Sequence, residues 1–158
     1  CRHGYDCAIQ FDADGQHLPE YIMTLAEATK DADIVIGSRF IEGKKHHSMR
    51  TLGSTLLKGA IKITTGVTIT DPTSGMRAFN HRMMSKLSKG LNYGPEPDTI
   101  SYLIKRANAK VAEVPVKMAD RQFGESYLSP WKSSVYMLQM TVSILFMQLF
   151  RKKLDGDR

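Results

Sequence analysis

Cysteine is nearly absent: the 158 residues hold two, Cys1 and Cys7, at the very start of the chain. With no further pair, neither a disulfide framework nor a cysteine metal site is expected, and the thiols suit a reducing compartment. Aromatic residues are sparse at 8%, with a single Trp, and are not interleaved with the basic ones, so the stacking platform of a single-strand binder is missing. The familiar nucleic-acid modules are missing too, and no nucleic-acid partner is expected. Repeats and low-complexity tracts are lacking, and 12 Gly and 6 Pro exclude a collagen-like chain. The polar first residues contain no apolar core of a signal peptide. Long apolar runs are also scarce. Residues 135–150 are apolar at 12 of 16 positions, but as a helix they would reach about 24 Å, short of a hydrocarbon core of roughly 30 Å.

What is present is ordinary globular material, 42% apolar and 24% charged. That suffices for one domain with a real core. Charge is less ordinary, with 22 Lys+Arg against 16 Asp+Glu, a net +6. Six of the basic residues (Arg39, Lys44, Lys45, Arg50, Lys58, Lys62) face only Glu42 between positions 39 and 62, and Arg151, Lys152 and Lys153 follow the apolar run. An anionic partner is expected.

Residues 5–11 (YDCAIQF) read as a strand that delivers Asp12 and Asp14 to its C-terminal edge. Residues 18–30 read as a helix, with Pro19 in its first turn. Residues 33–40 (DIVIGSRF) carry a continuous apolar triplet, as expected of a strand covered on both faces. A basic loop follows, then a helical stripe over 51–65 ended by Gly66. Turn chemistry at Asp71-Pro72-Thr73-Ser74-Gly75 precedes a short strand over 76–79, and Asn80 suits the N-cap of a helix reaching Lys89. Residues 98–108 read as a helix and 110–118 as a strand, which Pro115 places at an edge or a bulge. The alternation argues for an α/β layered sheet. The 135–150 segment has scattered polar residues and no clean amphipathic face. Trp131 and Tyr136 at one end and the basic triplet at the other suit a helix lying in a membrane surface, and packing on the domain or on a partner is the other reading.

Five constellations could carry chemistry. Asp12-Ala13-Asp14-Gly15-Gln16 offers two carboxylates and an amide oxygen to a hard cation such as Mg²⁺ or Mn²⁺, although acidic pairs after strands are often only solvated turns. Gly37-Ser38-Arg39 and the basic loop with Arg50 suit phosphate oxygens. Asp71, fixed before Pro72, is a rigidly held carboxylate. Glu96-Pro97-Asp98 opens a helix, where a carboxylate also serves as a cap. Arg121 and Ser126 lie on a polar loop over 119–130 that could close on phosphates.

The order FDADGQH, GSRF, DPTSGMRAF, PEPD, VPVKMADRQFGES resembles, over about four fifths of the chain, the inverting family 2 glycosyltransferases of the GT-A fold, a Rossmann-like mixed sheet with flanking helices. Within them it is most similar to the polyprenyl-phosphate glycosyl synthases. The resemblance implies that Asp12, Asp14 and Gln16 surround a Mg²⁺ or Mn²⁺ ion, with the diphosphate of a nucleotide-sugar donor beyond it. Arg39 and Arg50 would meet the phosphate of a polyprenyl-phosphate acceptor, Arg121 and Ser126 would close on phosphates, and Asp71 would sit near the reacting centre. Asp98 matches the acidic position that opens the acceptor-side helix. A lipid phosphate would attack the anomeric carbon in line and invert it, needing little help from a base because it is largely ionised near pH 7.

The resemblance also implies a domain over residues 1–130, the C-terminal part of the catalytic fold, and an apolar membrane-associating or partner-binding helix over 131–158. Only eleven residues precede Asp12, so the strands that bind the nucleotide base are expected to be missing and the chain to be a fragment of a longer enzyme. A cytoplasmic-face, peripheral membrane location follows, with a small membrane protein or a second copy at the open sheet edge as further partners. Two rivals stand: a transferase acting on a glycan hydroxyl, which would need Asp98 or Asp71 as base, and a non-catalytic membrane- or partner-binding module.

Overall fold

The computed structural model describes residues 4–12, 15–41, 49–89, 97–119 and 130–150, apart from the side chains of 49–52, 130–134 and 147–150. Asp14, Arg121 and Ser126 lie outside the described residues, as does the side chain of Arg50.

Four strands, β1 (Cys7–Gln10), β2 (Ile34–Ser38), β3 (Arg77–Asn80) and β4 (Val111–Pro115), form one mixed sheet in the order β1-β3-β2-β4. β3 runs antiparallel to both β1 and β2, and β4 runs parallel to β2. Every residue of β2 is buried. Ile34 and Ile36 join Leu57, Ile61, Ile100 and Leu103 on one face, while Val35 joins Leu25, Met76 and Val116 on the other. A central strand covered twice needs no polar alternation, which is why its apolar triplet is continuous. Pro115 ends the edge strand β4, where its missing N–H costs no ladder bond.

Helix α1 (Tyr21–Ala28) covers one face of the sheet, and α2 (Met49–Thr65), α3 (His81–Lys89), α4 (Pro97–Ala107) and α5 (Pro130–Phe150) contribute to the core on the other. α1 starts three residues later than its sequence pattern suggests, because His17 forms an isolated bridge with Met118 and Leu18-Pro19-Glu20 make the turn into the helix. α3 has the expected cap: the Met83 N–H donates to Asn80 Oδ1 at 3.0 Å. α4 ends with Asn108 in the left-handed region (φ 49°), and the Ala109 N–H donates to the Leu103 carbonyl at 3.2 Å, back across the helix end.

α5 begins at Pro130, before the apolar run, and packs on α2 and α4. Ile144 is fully buried in the core, and a Cβ on Gly53 would lie 2.9 Å from the Met137 Cβ, so α2 and α5 meet through that glycine. The opposite side of α5 leaves Val135, Leu138, Val142, Leu145 and Phe146 exposed. Among the described residues no helix is long and apolar enough to cross a membrane.

Candidate functional site

The pairing register decides where the motifs go. Gln10 at the end of β1 pairs with Arg77 at the start of β3, Ile36 pairs with both Arg77 and Glu113, and Ser38 pairs with Pro115. The C-terminal ends of β1, β2 and β4 and the turn entering β3 therefore share one end of the sheet. Asp12, Gln16, Arg39 and Asp71 are brought to that end from positions up to 59 residues apart in the chain.

At its centre is a bidentate ion pair. Arg39 donates from Nε to Asp71 Oδ2 at 2.6 Å and from Nη2 to Asp71 Oδ1 at 2.7 Å, and its backbone N–H reaches Oδ2 at 3.1 Å. The Asp71 side chain is completely buried and that of Arg39 is 34% exposed. The hydrogen bonds that Arg39 donates to Asp71 raise the guanidinium's affinity for its proton, against the opposing effect of burial. Nη2 also donates to Thr73 Oγ1 at 3.1 Å. Beside it the Arg39 guanidinium lies over the Phe40 ring, as does the Lys58 ammonium, with 5.2 and 5.0 Å to the ring centre.

The turn that carries Asp71 is held at both ends. Ser74 Oγ donates to the Gly37 carbonyl at 2.6 Å, and the Arg77 guanidinium donates to the Pro72 carbonyl at 2.9 Å. On the other side the Glu113 carboxylate accepts the N–H groups of Thr70 and Asp71 and the Thr70 hydroxyl, which in turn meets Ser38 Oγ at 2.7 Å. Glu113 was not singled out by sequence. A lone acid in an alternating strand reads as solvent-facing, and only the fold brings the turn to it.

Asp12 belongs to the same end. A Cβ on Gly75 would collide with Asp12 Oδ2, so the Asp12 carboxylate rests against the DPTSG turn where that turn has no side chain. The Asp12 N–H donates to Nδ1 of buried His17 at 2.9 Å, and His17 Nε2 lies 3.9 Å from Asp12 Oδ2. His17 sits edge-on to Phe11, and the Ala119 N–H donates to the Gln16 carbonyl at 3.0 Å. Met118 and Ala119, which precede Arg121 and Ser126 in the chain, are thus tied to Gln16 and His17. The Asp12 carboxylate remains about half exposed. Among the described residues no group of three or more His, Cys, Asp or Glu side chains could hold a metal ion.

Asp98 stands apart from this cluster. In the first turn of α4 its carboxylate accepts a hydrogen bond from Ser143 of α5 at 2.8 Å. The sequence showed the helix start but not this partner 45 residues away. Arg50 lies in the first turn of α2.

A buried Arg–Asp clamp, a half-exposed aspartate and a ring of hydroxyls at the carboxyl ends of strands make a polar site of the chemistry that suits anions or a hard cation. No family model matches the chain. Several homologues are named as polyprenyl-phosphate sugar transferases, of glycosyltransferase family 2. One is the undecaprenyl-phosphate mannosyltransferase of Micrococcus luteus, 35% identical over 135 residues, which are 80% of this chain and 54% of the relative. Others are the polyprenol monophosphomannose synthase of Mycolicibacterium smegmatis (30% identical, 81% of this chain, 51% of the relative) and the dolichol-phosphate mannosyltransferase of Pyrococcus furiosus (36%, 78% and 36%). The chain spans about half the length of the first two curated relatives and about a third of the last.

Proposed function

We propose that this chain carries the C-terminal part of a GT-A catalytic domain that moves a sugar from a nucleotide-sugar to a polyprenyl phosphate, with inversion, at the cytoplasmic face of a membrane. The observation that carries the reading is the convergence of Asp12, Arg39 and Asp71 at one sheet end in a chain whose homologues are named for that transfer.

The donors at this end suit a divalent cation: Asp12 presents a half-exposed carboxylate, Gln16 is its near neighbour, and the missing Cβ of Gly75 leaves room for Asp12 Oδ2. Asp12, Asp14 and Gln16 would hold Mg²⁺ or Mn²⁺, which when bound supplies charge neutralisation at a diphosphate. Arg39, locked in orientation by Asp71 and one third exposed, would hold phosphate oxygens while the sugar changes partner. Arg50, Arg121 and Ser126 would add phosphate contacts.

The state of the carboxylates favours a phosphate acceptor over a glycan hydroxyl. A hydroxyl needs a general base, yet Asp71 is clamped by Arg39 and Asp98 accepts from Ser143. An ionised phosphate needs none. For the membrane, the exposed apolar side of α5 supports contact with a lipid surface. Deleting α5 would strip Ile144 from the core, so Leu138→Glu with Phe146→Glu is the cleaner probe, and loss of liposome sedimentation is the expected result.

The deciding experiment supplies undecaprenyl phosphate and labelled GDP- and UDP-sugars to the full-length protein. Lipid-linked label that requires Mg²⁺ or Mn²⁺ and disappears in Asp14→Asn is expected. Full activity in chelator would remove the metal assignment, label on glycan hydroxyls alone would favour the glycan reading, and no transfer at all would favour the non-catalytic module.

A further inference from the structure

Glu113 is an acid in the middle of β4, flanked by Ala112 and Val114, and half-buried carboxylates are retained in such places only when donors meet them. Three do. The Thr70 N–H reaches Oε2 at 2.8 Å, and the Thr70 hydroxyl and the Asp71 N–H both reach Oε1 at 2.9 Å. Thr70 and Asp71 lie outside every strand, so no sheet ladder takes up their N–H groups. Glu113 does so instead, from a residue 42 positions away.

The next links are equally direct. Asp71, held by its own backbone N–H, turns its carboxylate the other way and grips Arg39 through Nε and Nη2. The aim of the guanidinium depends on where the Asp71 backbone sits, and Glu113 sets that. A carboxylate is the side chain that fits, being acceptor-only with two oxygens for three donors. Glutamine has the same shape but turns an NH₂ group toward at least one N–H.

We infer that Glu113 is a positioning residue of the transfer site, acting on phosphate binding and turnover only through Asp71 and Arg39. This rests on the reading of Arg39 as a phosphate-binding group given above. The test is a double-mutant cycle of Glu113→Gln and Arg39→Lys in the full-length protein, assayed with undecaprenyl phosphate and the labelled sugar nucleotide it uses, per folded molecule.

Glu113→Gln is expected to lower kcat about 10- to 100-fold, as loss of a residue that orients a contacting group does, with KM for the sugar nucleotide changed less than about threefold. In the Arg39→Lys background the same substitution is expected to cost less than about threefold, because the group it positions is already gone. Losses that multiply, or a Glu113→Gln enzyme with native kcat, would overturn the inference. A purely structural role would lower the thermal midpoint and leave the two losses independent. If Arg39→Lys alone keeps full turnover, the phosphate-binding reading of Arg39 falls, and this inference with it. Should Glu113→Gln not fold, Thr70→Val removes one of the three bonds and takes its place in the cycle, with an expected loss of about fivefold.

Discussion

At the start of β2 the Asp33 carboxylate accepts from Asn80 Nδ2, from two nitrogens of Arg82 and from the Lys110 N–H. Past the end of the same strand Arg39 grips Asp71 with the same bidentate geometry. The partners differ. Arg82 goes on to bond the carbonyls of Ala107 and Asn108, so the first clamp joins β2, the α3 start and the α4–β4 turn, and its arginine is 43% exposed. The second buries its aspartate entirely and is ringed by Ser38, Thr70, Thr73 and Glu113, with Asp12 close by across Gly75. One pair staples chain segments at an edge where a modest cost suffices. The other concentrates buried polarity beyond what stapling requires, and buried charge is expensive to keep. The comparison sets an Arg–Asp pair that staples chain segments beside one whose surroundings fit the proposed site.

The sharpest way to break that contrast is to remove each arginine. Arg39→Ala leaves a buried, unpaired Asp71 and should cost about 3–5 kcal/mol of stability, with transfer per folded molecule down about 100-fold or more. Arg82→Ala, at the half-exposed clamp, should cost about 1–2 kcal/mol and leave transfer per folded molecule unchanged. Chemical unfolding beside a transfer assay checks both, and equal activity losses would erase the distinction.

Gly75→Ala should follow in size. Its Cβ collides with the Asp12 carboxylate, which is half exposed and can swing aside, and meets Cε1 of the buried His17 ring at 3.1 Å, so stability should fall by about 1–2 kcal/mol. Apparent Mn²⁺ affinity, read by titration, should drop about tenfold.

Acid then sharpens the structural end. Burial pushes the Asp33 carboxyl up, but hydrogen bonds from Arg82, the Lys110 N–H and Asn80, with the Arg82 charge, outweigh it and hold it at about 2 against an ordinary 3.8. A depressed carboxyl stabilises the fold fully above its unfolded value and loses that contribution as pH falls through the folded one. The stability gap between the native protein and Asp33→Asn should therefore be constant above about pH 4 and close toward pH 2. A gap that stays open would contradict the assignment. Smallest of all, Gly53→Ala, away from both ends, must push against Met137 and should cost about 1–2 kcal/mol without touching turnover.

Much of the fold was legible residue by residue. The apolar triplet of β2, the stripe of α2, the Asn80 cap and the Asp-Pro turn all follow from local chemistry, because caps and turns bond within a few residues and a twice-covered strand shows no alternation. The start of α1 was misread by three residues, since a bridge from His17 to Met118 overrides helical propensity. The start of α5 at Pro130 was hidden because the apolar pattern begins later. Glu113, the Asp98–Ser143 bond and the seat of Asp12 against Gly75 were invisible for a common reason: their partners are 42 to 63 residues away. Arg39 and Asp71 were each picked out separately, but not as a pair.

By itself the sequence determined which side chains were available: a D-x-D after a strand, an arginine after the next, an aspartate before proline, and a basic excess suited to phosphate. It also carried the resemblance to the family, through those motifs in that order. The tertiary structure decided that these groups meet, through an antiparallel β3 inserted between β1 and β2 that turns the entrance of one strand toward the exits of the others. It also decided that α5 packs on the domain with one side while leaving the other apolar and open. Local patterns fix local conformation because their bonds are short-range. Which carboxylate faces which arginine is set by strand order and register, and these emerge only when the whole core is buried at once.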